Sequence, residues 1–155
     1  MQPIRFLTFC ACLSAAGLVH AQADVRTIPS GDWSRATGPL RDAIECNTPL
    51  KATAAVRNVL RPPQGNLTAD YTLPEPLTVF GSLKVTAVSI YDEGAEGASF
   101  TIKPAGVKLA DIARAARLKK DNGRYFRAVK GGHIEAGEPR KGEFALSCVS
   151  GEYGD

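Results

Sequence analysis

Beyond residue 12 the chain carries two cysteines, Cys46 and Cys148, near opposite ends of everything that follows. If they are joined, a segment near the start of the fold must meet its last segment in space, closing a loop of about 100 residues. A bridge of that span stabilises a fold by up to about 4.7 kcal/mol on the chain-entropy argument. Whether the two sulfurs join depends on the compartment they reach, and the amino-terminal residues bear on that.

Arg5 supplies a positive start, residues 6–19 are apolar or small, and Val19-His20-Ala21 ends in the small residues that signal peptidase requires. The pattern predicts a cleaved signal peptide over residues 1–21, or to 23 if cleavage follows Ala23. The apolar run stops short of the roughly 20 residues a membrane span needs, so no transmembrane segment is expected in the mature chain. Lipid anchoring is disfavoured, because Phe9 precedes Cys10 and both Cys10 and Cys12 lie too early. Cleavage removes those two cysteines and delivers Cys46 and Cys148 to an oxidising compartment, periplasmic or extracellular, where thiols pair. A structural disulfide between them is the expectation. The alternatives are a reactive thiol or a metal site, but with His133 the one histidine left in the mature chain, no zinc pattern is recognisable.

Residues 22–155 are then expected to form a single compact domain, long enough to bury roughly two-thirds of its unfolded surface. Apolar content of 44% and charged content of 23% are those of a globular protein rather than a disordered tail. Losing Arg5 leaves 18 basic against 16 acidic side chains, a net charge of +2. That is too mild to imply a nucleic-acid partner.

Hydrophobic periodicity sets the fold class. Residues 22–38 are polar and punctuated by Pro29, Gly31 and Gly38, which reads as an irregular lead-in tied down by Trp33. Pro39 suits the first turn of a short helix through Cys46, and Thr48-Pro49 reads as an N-cap opening a second helix to Leu60, ended by Arg61-Pro62-Pro63. Beyond that the period changes to two. Leu67, Ala69, Tyr71 and Leu73 alternate, Pro74-Glu75-Pro76 interrupts, and residues 77–80 resume an extended run. Gly81-Ser82 turns the chain into residues 83–91, and Ala98, Phe100 and Ile102 complete a hairpin with them. Leu109, Ile112, Ala113 and Ala116 recur at helical spacing, predicting an amphipathic helix over residues 107–118 that ends at Asp121-Asn122-Gly123. Strands follow at 125–129, 133–136 and 143–149, the first two joined at Gly131-Gly132. The expected architecture is α+β: a largely antiparallel β-meander with the 107–118 helix packed on one face and one or two short N-terminal helices beside it.

The residues that carry chemistry are few. No Gly-x-Ser-x-Gly elbow, His-Glu-x-x-His pair or phosphate-cradling loop occurs, and no cofactor or metal is expected. His133 is the one obvious general base, with Glu135 two residues on and so on the same strand face. A small secreted hydrolase using His133, or paired carboxylates among Glu135, Glu138 and Glu143, is the enzymatic alternative. The acidic loop at 92–97 has carboxylates at Asp92, Glu93 and Glu96, in a spacing that matches no EF-hand. It is the one candidate for a protruding inhibitory loop aimed at a secreted enzyme.

One feature stands above background. Arg114, Arg117, Lys119, Lys120, Arg124, Arg127 and Lys130 fall within seventeen residues against a single acid, Asp121, a local balance of +6. The rest of the mature chain then carries −4. Such a cluster is either a solvated face that keeps the protein soluble or a surface for an anionic partner, whether acidic protein, anionic lipid headgroup or polyanion. The leading expectation is therefore a non-enzymatic exported binding module with those seven residues as its site.

Overall fold

The structure, a computed structural model, describes residues 30–63, 66–92 and 97–151. The expected signal segment and residues 93–96 of the acidic loop lie outside the described residues.

Among the described residues three helices and seven strands follow the order α1 (Ser30–Ile44), α2 (Ala54–Leu60), β1 (Ala69–Val79), β2 (Leu83–Asp92), β3 (Ala98–Ile102), α3 (Leu109–Ala115), β4 (Lys119–Asp121), β5 (Arg124–Val129), β6 (Gly132–Arg140) and β7 (Glu143–Ser150). The class is α+β, as expected. The strands make one antiparallel sheet in the order β1-β2-β3-β7-β6-β5-β4. It consists of two meanders. The second starts at the far edge after α3 and returns inward until β7 pairs with β3, with Phe100 opposite Cys148 and Ile102 opposite Leu146.

Residues opposite one another across these ladders share a face, and one face is apolar from β1 to the middle of β6. Tyr71, Val85, Ile90, Phe100, Ile102, Cys148, Leu146, Ile134 and Ala136 are buried there against Leu40 and Ile44 of α1, Val56 and Val59 of α2, and Ile112 of α3 in one continuous core. None of the helices among the described residues is long and apolar enough to cross a membrane.

The N-terminal expectations need correction. Helix α1 begins at Ser30 and runs straight through Gly38 and Pro39, instead of starting at Pro39. Ala36, Leu40, Ala43 and Ile44 form a buried stripe at helical spacing. Proline inside a helix costs about 3 kcal/mol. Burying Leu40 and Ile44, at roughly 1.5–3 kcal/mol each, offsets that and keeps the helix whole. Trp33 thus lies in a helix rather than in an irregular lead-in, and its indole N–H donates to Glu75 at 3.2 Å. The second helix starts at Ala54, not after Thr48: Thr53 is the N-cap, its hydroxyl accepting from the Val56 N–H at 3.3 Å. Between the two helices Leu50 and Ala52 pack at the border of the core in irregular chain, with a tight turn where the Thr53 N–H donates to the Lys51 carbonyl at 2.8 Å.

Two strand expectations also change. Pro74-Glu75-Pro76 does not divide β1; the prolines sit in a register shift between Thr72 and Leu77 on an edge strand, where missing donors are tolerated. Helix α3 is shorter than 107–118 and stops at Ala115, since Arg117 turns left-handed at φ 54°. Asn122-Gly123, expected to stop that helix, instead forms the turn between β4 and β5.

Candidate functional site

The left-handed turn at Arg117 decides where the basic run goes. Its N–H donates to the Arg114 carbonyl at 3.1 Å and the Leu118 N–H reaches the Ala113 carbonyl at 2.8 Å, so the chain leaves α3 abruptly into β4. Along β5 exposure alternates: Tyr125, Arg127 and Val129 are half-buried on the helix-covered face, while Arg124, Phe126 and Ala128 are exposed on the other. Lys120 pairs with Tyr125 and shares the covered face; Lys119 pairs with Phe126 and shares the bare one. Arg114 projects from α3 and is ion-paired with Asp111 at 2.9 Å. Lys130, in the β5–β6 turn, borders a separate cavity beside Cys46 and Cys148. The seven basic residues are therefore not one continuous surface. Arg117 and Arg127 are the pair the fold brings to one place.

They line a cavity of about 300 Å3 with Glu45, Asn47, Phe80, Gly81 and Ala115. Four parts of the chain build it: the segment after α1, the β1–β2 turn, the end of α3 and the middle of β5. The Glu45 carboxylate is committed within its own wall, where Oε1 accepts from the Phe80 N–H at 2.5 Å and Oε2 accepts from the Asn47 side-chain amide at 3.3 Å. Neither guanidinium makes an ion pair among the described residues. Arg127 Nε is shut off from solvent and has no hydrogen-bond partner among the described residues. A buried donor left unpaired costs about 1–3 kcal/mol. Guanidinium is planar and presents paired N–H groups that match a carboxylate or phosphate edge.

The bare face of the sheet holds the other candidates. His133 is half-buried there, its ring centroid 5.2 Å from that of Phe126. Pairing places it opposite Val149 on one side and Ala128 on the other. Glu135 sits opposite Ser147, whose hydroxyl is 2.8 Å from that of Thr101. His133 does not line the Arg117–Arg127 cavity or the one beside the disulfide. Glu138 accepts from the Gly142 N–H at 2.6 Å and Glu143 lies 3.4 Å from Lys103 and 3.8 Å from Arg140, so both hold the β6–β7 hairpin in shape. Among the described residues no group of three or more His, Cys, Asp or Glu side chains is arranged to hold a metal ion.

The disulfide joins Cys46 to Cys148 with Cα atoms 5.5 Å apart. It fastens the segment that carries Glu45 and Asn47 onto β7. Sequence reasoning found Arg117 and Arg127 through their charge but missed Glu45, Asn47 and Phe80. The one local hint was that Glu45 and Asn47 flank a cysteine. No protein-family model, no curated protein and no solved structure matches the chain.

Proposed function

We infer that this protein is an exported, non-enzymatic binding module whose site is the Arg117–Arg127 cavity and whose partner is an acidic protein segment. The observation that carries the reading is the pair of guanidinium groups lining one cavity, neither of them ion-paired and one of them with a buried N–H that has no acceptor among the described residues. A flat membrane or a long polyanion needs basic groups spread over one surface. The division of the seven residues between two faces, a turn and a helix flank favours a discrete anionic group instead. Export is supported by the signal-like first 21 residues together with the Cys46–Cys148 bridge, which belongs to an oxidising compartment.

The test is calorimetric titration of the mature protein with a short Asp/Glu-rich peptide at low and high salt. Binding is expected to weaken as salt rises and to vanish in the Arg117→Ala/Arg127→Ala double variant, with circular dichroism confirming that the variant is folded. Equal binding by the folded double variant, or tighter binding to anionic vesicles that the variant retains, overturns the reading. Export is checked separately by mass spectrometry of natively produced protein, where an intact Met1 overturns it.

A further inference from the structure

We propose that the Arg117–Arg127 cavity selects a singly charged carboxylate lying next to a hydrogen-bond donor, and discriminates against phosphate and sulfate; this rests on the anion-binding reading above. The selecting group is Glu45. It lines the same cavity as the two arginines, so the cavity's own charge is +1 rather than +2. A monocarboxylate neutralises it. A dianion overshoots and meets the fixed Glu45 carboxylate as a like charge in a partly desolvated space, which is discrimination by repulsion.

Glu45 also sets what should accompany the carboxylate. Each of its oxygens has two lone pairs, and the bonds from the Phe80 N–H and the Asn47 amide occupy one on each. Acceptor capacity therefore remains beside the arginine donors. A ligand that offers a carboxylate to Arg117 and Arg127 and an N–H to Glu45 satisfies both walls at once. An amide N–H a few atoms from a carboxylate is the chemistry of an aspartyl side chain within a peptide, and equally of a peptide's C-terminal carboxylate. The cavity volume of about 300 Å3 suits such a chain end or side chain better than a folded surface.

The experiment is an NMR titration of the mature protein with acetyl-aspartyl amide, N-acetylglycine, propionate, inorganic phosphate and sulfate, run on wild type and on Glu45→Gln. Glutamine keeps an acceptor for the Phe80 N–H, and the Asn47 amide can turn over to accept from the new NH2, so the wall is preserved while its charge is removed. In wild type at least one of the two amide-bearing carboxylates should bind about tenfold more tightly than propionate, phosphate or sulfate; the tighter of the two identifies the source of the carboxylate. In Glu45→Gln the affinity for phosphate should rise by about tenfold and draw level with that of the carboxylates. Phosphate or sulfate binding wild type as tightly as the amide-bearing carboxylates, or unchanged selectivity in Glu45→Gln, overturns the selectivity and leaves the anion site standing. If none of the five probes perturbs the Arg127 side-chain resonance, both are overturned.

Discussion

Cys46 is bonded to Cys148 at the exit of α1, and the residues on either side of Cys46 are the two that face Arg117 and Arg127 across the cavity. Cys46 itself adopts a left-handed backbone, φ 59°, which throws the chain out of the helix at that point. Cys148 is buried in β7, between Phe100 of β3 and Ile134 of β6. The crosslink thus anchors one wall of the cavity to the middle of the sheet, across a sequence separation of 102 residues.

Removing that crosslink should cost stability and loosen the wall together. Cys46→Ala/Cys148→Ala is expected to lose up to about 4.7 kcal/mol relative to the oxidised protein, the chain-entropy value for a loop of about 100 residues. Urea denaturation of oxidised and reduced wild type and of the double variant measures it. The reduced protein and the variant should unfold at similar, lower denaturant concentrations, and both should bind an acidic peptide less tightly than oxidised wild type.

How far the sequence reveals this molecule depends on whether the deciding interactions are local. The α+β class was legible because alternation in the first half of β1 and in β3 reflects burial on one sheet face, a property each strand carries by itself. Helix α1 was misread because Gly38 and Pro39 are strong local punctuation, whereas the burial of Leu40 and Ile44 that overrides them is a tertiary effect. The site was half legible for the same reason. Arg117 and Arg127 announce themselves in a charged run; Glu45 and Phe80 lie 35 residues apart and meet only because α1 packs on β1. Nor does charge counting show that Arg127 faces the covered side of the sheet while Arg124 faces away, since that follows from the register of β5 against β6.

The sheet interior predicts a sharp difference between two glycines of β6. A methyl group at Gly132 would run into the backbone carbonyl of Val149 on the neighbouring strand, whereas at Gly137 it meets nothing within 4 Å. Gly132→Ala forces β6 away from β7 and should destabilise by about 1–3 kcal/mol, as overpacking does. Gly137→Ala, at a strand position with open space and no left-handed φ, should be neutral or stabilising by up to about 1 kcal/mol. Thermal melts of the two variants side by side check the pair, and equal shifts would contradict the close β6–β7 approach at Gly132.

Leu146 tests where the core is centred. It lies fully buried on β7, flanked by Ile102 of β3 and Ala136 of β6. Leu146→Ala should cost about 2–5 kcal/mol, because the neighbours are strands and cannot collapse into the vacated space. Tyr91 is 55% exposed on the bare face of the same sheet. Tyr91→Ala should therefore cost much less than Leu146→Ala. Denaturant midpoints for the two variants distinguish a core on the helix-covered face from one shared between both faces.

Asp32 gives the fold an acid-sensitive joint between α1 and α2. Its carboxylate accepts from the Arg35 guanidinium at 2.5 Å within α1 and from the Asn58 amide of α2 at 2.8 Å. The Arg35 hydrogen bond, with Asn58 adding to it, lowers the carboxyl below its ordinary value of 3.8 despite the opposing effect of burial. Because the folded protein holds this proton less tightly than the unfolded chain, the joint contributes its full stability above the ordinary carboxyl range. That contribution fades as pH falls through 3.8 and is gone below the lowered folded value. Asp32→Asn keeps an acceptor for Arg35 but removes the charge, so the variant should be less stable than wild type at neutral pH. The two stabilities should converge as the pH drops below that range. Urea denaturation across the acid limb measures the gap, and a gap that stays constant with pH would show that the Asp32 charge contributes nothing to holding α1 on α2.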